Sequence, residues 1–301
     1  MNVTPRFPEP TPRLDRRDFL RWSAASALGL LAAVPGCASS KSGKAGGASR
    51  IAFNTANLVA RVSGYRFELS HWGEQHQKTV AATDEQAWRG ICQEIAGAGF
   101  RAVEIWEAHA APETMTESRA RTWKRILDDT GLRPIGYAGG LRRETLQICA
   151  WLGIPHVDGG LRGLTPAQAT KLCREFGIAF NSENHPEKST QEILAVIGGG
   201  SEWLGVCVDT GWLGTQSVPV PEAIRTLGPL VRHTHIKDVK AAGKHETCLL
   251  GEGVVNVAGC LQALREIGYR GWYSWEDEPE DRNPFDSAAR NRRWIAQHLR
   301  G

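Results

Sequence analysis

From about residue 50 onward, short apolar runs alternate with segments whose apolar residues recur every three or four positions. The first pattern is typical of buried strands and the second of amphipathic helices. Eight such strand–helix units fit into roughly 250 residues, which predicts an α/β fold, the (β/α)₈ TIM barrel. A doubly wound open sheet is the alternative. It would carry a glycine-rich phosphate turn after its first strand, and Asn54-Thr55-Ala56-Asn57 is not one.

The boundaries of these elements follow from turn and cap residues. Asp84 is a typical N-cap, and Thr165 precedes Pro166 as an N-cap with proline at the first helical position. The predicted strands are 51–55, 101–106, 133–137, 154–158, 178–183, 204–209, 231–235 and 271–276. The predicted helices are 84–98, 116–131, 142–152, 165–176, 190–197, 221–227, 256–267 and 287–299. The polar stretch 57–79 is predicted to be a long loop.

Four successive predicted strands each end in a residue that can bind a metal: Glu183, Asp209, His235 and Glu276. Because side chains alternate along a strand, each of them can point into the barrel at its C-terminal mouth. Alone, each would be typical of a polar residue that caps the next helix. Together, three carboxylates and an imidazole suit one divalent cation, with Mn²⁺ expected first and Mg²⁺, Co²⁺ or Zn²⁺ as alternatives. A metal at this position predicts an enzyme.

Short motifs occur around these residues and elsewhere in the body: Val103-Glu104, Glu183-Asn184-His185, Val208-Asp209-Thr210-Gly211, His233-Thr234-His235-Ile236-Lys237-Asp238, Gly251-Glu252-Gly253 and Gly268-Tyr269-Arg270-Gly271-Trp272. Together they resemble the motifs of the sugar phosphate isomerase/epimerase family, the xylose isomerase-like TIM barrels. The resemblance implies a single ion held by Glu183, Asp209, His235 and Glu276. It also implies that the two glutamates face the substrate from opposite sides.

Proton transfer at a carbon next to a carbonyl requires a base, an acid and a group that stabilises the enediolate charge. A divalent cation can stabilise that charge, and Glu183 and Glu276 can take and return the proton. The sequence therefore predicts an isomerase or epimerase that acts on a sugar or keto-sugar. Glu183 and Glu276 are its expected catalytic residues.

Further residues are predicted around the substrate. Glu104, His185, Trp212, Lys237 and His245 are expected to contact it, although charged loop residues are commonly just solvated. His233 has a different expected role, which is to support His235, the histidine of the predicted metal site. The tryptophans include possible sugar-stacking platforms, although most tryptophans in a barrel serve packing. The candidates are Trp72, Trp106, Trp212 and Trp275.

Trp212 is a departure from the family pattern, because many members carry a histidine three residues after the strand-six aspartate. The change argues against the apurinic endonuclease branch, whose multi-zinc site uses additional histidines. The body of the chain also lacks a basic run, so no nucleic-acid partner is expected. The bulky indole predicts a reshaped pocket, suited to a glycoside or a keto-sugar.

Two other functions stay open. One keeps the site but changes the reaction to a metal-dependent lyase or dehydratase that acts on a 3-keto-glycoside or an inosose-like substrate. The other is a non-catalytic, carbohydrate-binding lipoprotein on a degenerate barrel. Two carboxylates free to react beside an ion argue against a pure binder. A homo-oligomer is possible.

The first part of the chain is predicted to be a targeting segment. Arg16-Arg17-Asp18-Phe19-Leu20-Arg21 resembles the twin-arginine export motif, and the apolar stretch 22–34 is too short to span a bilayer. Val34-Pro35-Gly36-Cys37 resembles a lipobox, with Cys37 as the lipidated residue and simple cleavage nearby as the alternative. We therefore expect a signal peptide (1–36), a flexible tether (37–49) and a barrel domain (50–301). The protein is expected in the periplasm, or on the membrane through a lipid at Cys37.

Overall fold

The computed structural model describes residues 50–300 of the 301-residue chain. In this part of the chain, eight parallel strands close into one barrel in sequence order, and the first strand pairs with the eighth. The strands are β1 Ile51–Asn54, β2 Ala102–Trp106, β3 Arg133–Ala138, β4 His156–Gly159, β5 Ala179–Glu183, β6 Leu204–Asp209, β7 Val231–Ile236 and β8 Tyr273–Trp275. The closed barrel confirms the predicted (β/α)₈ fold and excludes the open sheet.

The α-helices surround the barrel, and four of them begin at caps that the sequence predicts, namely Asp84, Thr116, Thr165 and Ser189. Asp84 accepts a hydrogen bond from the backbone N–H of Ala87 at 2.8 Å, and Thr165 forms a capping box with Gln168. The helices of the described residues are α1 Trp72–Ala82, α2 Glu85–Gly97, α3 Glu117–Thr130, α4 Arg143–Leu152, α5 Pro166–Phe176, α6 Thr190–Val196, α7 Thr210–Thr215, α8 Val220–Leu227, α9 Val257–Glu266 and α10 Phe285–His298.

The stretch 57–79 differs from its prediction as a loop. It contains most of α1, and 3₁₀ turns at Thr55–Leu58, Arg61–Ser63 and Leu69–His71 precede that helix. Helix α1 buries only Gln75 and Thr79, both polar, so its sequence lacks the apolar periodicity that marks an amphipathic helix. The prediction of a loop was therefore wrong for residues 72–79.

Helix α7 was also missed, because it has six residues and follows its strand without a loop. Asp209 is both the last residue of β6 and the N-cap of α7. Its Oδ1 atom accepts hydrogen bonds from the backbone N–H groups of Gly211 at 2.8 Å and Trp212 at 3.0 Å. One carboxylate oxygen thus starts the helix, while the other is directed to neighbouring side chains.

The two faces of the barrel sheet have different chemistry. Between sheet and helices the core is apolar, with the rings of Trp88 and Trp123 stacked at 6.0 Å. Branched aliphatic residues commonly fill the inside of such a barrel, but several of the inward-facing positions here are polar. These fully buried polar residues include Glu104, Asp158, His233, His235 and Ser274. Such groups are costly to bury without partners, so the barrel interior must satisfy them with hydrogen bonds.

The remaining predictions on chain organisation concern residues that the structure does not describe. The twin-arginine segment, Cys37 and the tether all lie outside residues 50–300 and stay predictions, as does the division of the chain near residue 50. Within the described residues, the six cysteines are free. No helix of that part of the chain has the length and apolar character needed to cross a membrane.

Candidate functional site

The four predicted metal ligands lie together at the C-terminal end of the barrel. Glu183 and Asp209 are the last residues of β5 and β6, His235 is the next-to-last residue of β7, and Glu276 follows β8 directly. The strand register places Asp209 beside His235, and His235 beside Ser274. All four ligand candidates line one cavity of about 550 Å³.

His235 is the centre of this group. Its Nδ1 atom lies 2.7 Å from Glu183 Oε1 and 3.3 Å from Glu276 Oε1. A ligand atom from each of these three residues lies within 4.8 Å of the other two. Asp209 belongs to a second such group, with Glu183 and His185. Glu183 therefore joins two sets of possible ligands, and the four predicted residues surround one space.

The residues fit a divalent cation. Burial, reinforced by the negative charge of Glu278, raises the pKa of the Glu276 carboxyl to about 8. Its buried Oε2 atom has no hydrogen-bond partner in the described residues, although Lys237 Nζ lies 2.7 Å away outside hydrogen-bonding geometry. Three carboxylates held this close repel one another, and a cation between them would relieve that repulsion. The three carboxylates and one imidazole are also suitable donors for Mn²⁺ or Mg²⁺.

Glu104 takes a different position from the predicted one. It lies in the middle of β2, is fully buried and does not line the cavity. Its Oε1 atom lies 3.0 Å from His235 Nε2, and its Oε2 atom lies 3.0 Å from His233 Nε2. Burial opposes its charge, but the two histidines outweigh that effect and hold its pKa well below the usual value. Glu104 therefore supports the imidazole of His235 from below instead of contacting substrate.

His233 lies where a supporting residue was expected, but it acts through a neighbour. It contacts Glu104, and its ring is perpendicular to that of His235 at a centroid distance of 5.5 Å. His233 is fully buried, and its Nδ1 atom has no partner in the described residues. Glu104 thus connects the two histidines, and His233 limits the ways in which that carboxylate can turn.

The other predicted substrate contacts line the cavity. Lys237 lies 3.2 Å from Asp209 Oδ2 and 2.6 Å from Glu278 Oε2. Burial opposes its charge, yet these carboxylates and Glu276 raise the pKa of its ammonium well above the usual value. Lys237 is therefore a fixed positive charge that balances the acidic end of the cavity.

His185, Trp212 and His245 form one wall beside the acidic residues. His185 Nε2 lies 3.0 Å from Asp209 Oδ2. The rings of His185 and Trp212 meet edge to face at 4.6 Å, and those of Trp212 and His245 stack at 5.1 Å. The indole N–H of Trp212 donates to the backbone oxygen of Glu187 at 3.1 Å, which fixes the ring in this wall.

Two residues at the acidic end were missed by sequence reasoning. Asn54 at the end of β1 donates from Nδ2 to Glu276 Oε1 at 2.7 Å, and the alternation rule applied to β1 would have found it. Glu278 lies in the stretch Glu276-Asp277-Glu278, where nothing in the sequence separates it from its neighbours. Its backbone is left-handed, with φ near 49°, and its side chain accepts a hydrogen bond from Lys237.

The cavity is also lined by the aromatic wall, which we define as Leu69, Trp72, His76 and Trp106. The sequence named its two tryptophans as possible stacking platforms and missed Leu69 and His76. Of the tryptophans considered as stacking platforms, Trp275 is buried in the core and does not line the cavity. Trp72 and Trp212 line it half-buried, and Trp106 lines it although it is almost fully buried.

Residues 92–298 match the family model described as the xylose isomerase-like TIM barrel. Among curated proteins, a putative L-ribulose-5-phosphate 3-epimerase of Escherichia coli K12 is 23% identical over 193 residues, or 58% of this chain and 62% of that protein. The inosose dehydratase of Erwinia tasmaniensis is 26% identical over 156 residues, or 44% of this chain and 52% of that protein. The chain thus matches less than two thirds of the length of either relative.

Two solved structures illustrate the likeness in fold. A xylose isomerase-like TIM barrel protein from Mycobacterium smegmatis in complex with magnesium has a TM-score of 0.64 and 17% identity, covering 84% of this chain and 98% of that one. The D-allulose 3-epimerase from Methylomonas sp. has a TM-score of 0.62 and 16% identity, covering 83% and 97%. At these identities the likeness establishes the fold.

Proposed function

We propose, from the fact that the chain belongs to the xylose isomerase-like TIM barrel family, that it is an enzyme: a divalent-metal-dependent sugar isomerase or epimerase. The observation that carries the proposal is the position of Glu183 and Glu276. Both are directed at the same imidazole atom of His235, at 2.7 Å and 3.3 Å. Two carboxylates on either side of one cavity end are what proton transfer at a substrate carbon requires.

Glu183, Asp209, His235 and Glu276 would hold the ion, with Mn²⁺ expected first and Mg²⁺, Co²⁺ or Zn²⁺ as alternatives. When bound there, it would act as a Lewis acid for negative charge that develops on the substrate's carbonyl oxygen. Glu104 would keep the Nδ1 atom of His235 directed at this space, because it would accept a hydrogen bond from the Nε2–H group of the imidazole.

The environments of the two glutamates separate their roles. Burial opposes the charge of Glu183, but His185 and His235 outweigh it and lower the pKa of its carboxyl. Glu183 is therefore ready to accept a proton. Before an ion binds, burial and the charge of Glu278 raise the pKa of Glu276 to about 8, so its carboxyl has the higher proton affinity of the two. As a ligand of the ion it would be ionised, and it would take up a proton and return it to the other face of the reacting carbon. Such a pair supports epimerisation or aldose–ketose isomerisation of a sugar or keto-sugar.

The test is solvent exchange at the reacting carbon. Proton NMR of candidate keto-sugars in heavy water should show exchange and rearrangement with the wild-type protein. Glu183→Gln and Glu276→Gln should each lower the exchange rate by at least 100-fold, because each removes one proton-transfer group. Glu222→Gln, on the exposed surface of α8, is the matched control and should keep the wild-type rate. Exchange at the wild-type rate in either site variant would contradict the assignment.

Elimination is the second candidate reaction, on a 3-keto-glycoside or an inosose-like substrate. His185 favours it: burial opposes its charge, but Glu183 and Asp209 raise the pKa of its imidazole to about 9. A charged imidazole at the cavity wall can donate a proton to a leaving oxygen. The same NMR experiment separates the reactions, because elimination yields an olefin or a released group and isomerisation does not.

A non-catalytic carbohydrate-binding protein is the third candidate. Metal analysis of the purified protein distinguishes it, since a pure binder has no need for an ion between reactive carboxylates.

Export by the twin-arginine route, with lipidation at Cys37 and a periplasmic or membrane-anchored location, also stays a proposal. Mass spectrometry of the mature N-terminus tests it, and light scattering tests the proposed possibility of a homo-oligomer.

A further inference from the structure

The aromatic wall of the cavity has no part in the proposed chemistry. The rings of Trp72 and Trp106 lie 5.3 Å apart at 59°, and His76 meets Trp106 edge to face at 5.4 Å. Leu69 is 37% exposed and is one of three exposed large apolar side chains among residues 50–300. Trp72 is half-buried, whereas Trp106 is buried at 5% exposure and supports it from behind. The exposed apolar area of Leu69 and Trp72 is area that a ligand could cover.

The aromatic wall is held at a fixed place relative to the acidic end. The backbone N–H of Phe67 donates to the backbone oxygen of Glu280 at 3.2 Å, and that of Leu69 donates to Glu280 Oε1 at 2.9 Å. Glu280 lies on the same loop as Glu276 and Glu278, after β8. The wall therefore belongs to the same cavity as the proposed catalytic residues and is fastened to their loop.

Polar side chains accompany the aromatic wall. Glu107, Arg162 and Glu280 line the same cavity. Glu107 is paired with Arg142 at 2.7 Å and Glu280 accepts from the backbone N–H of Leu69, whereas Arg162 makes no ion pair within the described residues. Aromatic faces bordered by charged groups match a sugar ring, which has an apolar C–H face and a rim of hydroxyls. Arg162 is exposed, so its guanidinium can donate hydrogen bonds to a hydroxyl of such a ring, which a purely apolar group would not offer.

We propose that the cavity binds a two-ring carbohydrate, a glycoside, whose reacting ring lies at the acidic end and whose second ring lies against the aromatic wall. The inference rests on the proposed function only for the identity of the reacting ring. A volume of about 550 Å³ supports it, because pockets of roughly 300–1,000 Å³ accept ligands larger than one monosaccharide. The aromatic wall then determines substrate size and leaves the reaction type unchanged.

Calorimetric binding tests this inference without any need for turnover. The probes are glucose and cellobiose, together with their 3-keto forms, titrated into the metal-loaded protein. We expect each disaccharide to bind at least tenfold more tightly than its monosaccharide. Trp72→Ala and Leu69→Ala should abolish that difference and leave monosaccharide affinity unchanged, while Trp72→Phe should keep most of it. Val254→Ala, at an exposed apolar residue outside this cavity, is the control.

Several results would overturn the proposal. They are equal affinity for one and two rings, no binding of any disaccharide by the wild-type protein, or equal weakening of both ligand classes in the wall variants. Tighter binding of phenyl glucoside than of cellobiose would assign the aromatic wall to an apolar group instead. Loss of exchange chemistry with intact size discrimination would contradict only the proposed function, so the two failures are distinguishable. Circular dichroism verifies that each variant is folded.

Discussion

At the scale of single residues, the position of a side chain along its strand decides its role. The sequence predicted Glu183, Asp209, His235 and Glu276 at strand ends, and the structure brings them to one space. Glu104 was grouped with substrate contacts, yet it lies two residues before the end of β2. That difference places it one layer lower in the barrel. Alternation along a strand predicts the face of the sheet but not the depth, which depends on how neighbouring strands are staggered.

The position of Glu104 leads to a prediction about metal affinity. Glu104→Gln keeps the shape of the side chain but removes the charge and one of the two acceptors for His235 and His233. We expect a 10- to 100-fold loss of metal affinity, since the imidazole of His235 is no longer held in one tautomer. Titration of the metal-free protein with Mn²⁺ measures this loss.

Ser274→Ala is the comparison for that variant, because Ser274 also donates to Glu104 but contacts neither histidine in a hydrogen bond. It should change the affinity for Mn²⁺ much less than Glu104→Gln does. Equal Mn²⁺ affinity in Glu104→Gln and wild-type protein would show that His235 needs no support from below.

At the scale of elements, the sequence predicted the regular strand–helix units. It missed helix α1 and the 3₁₀ turn before it, which carry most of the aromatic wall. Units such as Glu117–Thr130 have apolar periodicity, a Thr116 cap and a Gly131 terminus with φ near 68°. Helix α1 has none of these signals, because its buried side chains are polar. It is stabilised by tertiary hydrogen bonds instead, and these depend on residues distant in sequence that no local pattern contains.

Gln75 is the residue that attaches α1. Its Nε2 atom donates to the backbone oxygen of Val59 at 2.8 Å and to Ser63 Oγ at 2.9 Å. Gln75→Ala should leave the Val59 acceptor buried and unpaired, at a cost of about 1–3 kcal/mol to local stability. We expect faster amide hydrogen exchange in residues 60–82 and unchanged exchange in the barrel strands.

Gln77→Ala provides a matched control for this change, since Gln77 lies on the exposed face of the same helix. It should leave the exchange rates of α1 as they are in the wild-type protein. If both variants exchange alike, the attachment of α1 does not depend on Gln75.

At the scale of the whole molecule, the closed barrel and its family were predictable because the strand–helix period repeats through the entire body. The cavity was predictable only in part. Its acidic half comes from residues at or next to the ends of β5 to β8, whereas most of its aromatic half comes from the segment before α2, with Trp106 at the end of β2. Regular secondary structure is encoded locally, but the path of a long connection is set by the surfaces on which it packs.

The acidic half also links the proposed ion to global stability. Three carboxylates meet around His235, so a chelator should lower the melting temperature and Mn²⁺ should restore it. An ion at 100 times its dissociation constant adds about 2.7 kcal/mol, which corresponds to roughly 5–10 °C for a domain of this size. Differential scanning calorimetry measures the shift. Asp209→Asn should show a much smaller response to chelator, and Asp281→Asn, on the surface, should respond as the wild type does.

The aromatic wall has a consequence for how this protein can diversify. Three of its four residues, Leu69, Trp72 and His76, come from one contiguous segment that precedes residue 92, where the match to the family begins, whereas Trp106 lies on β2. The residues proposed for chemistry lie at the far end of the chain, on strands that are shared with the family. If the wall binds a second ring as proposed, changes within that one segment would alter which carbohydrates the cavity accepts. The proposed catalytic residues would stay unchanged, so specificity and reactivity could evolve separately.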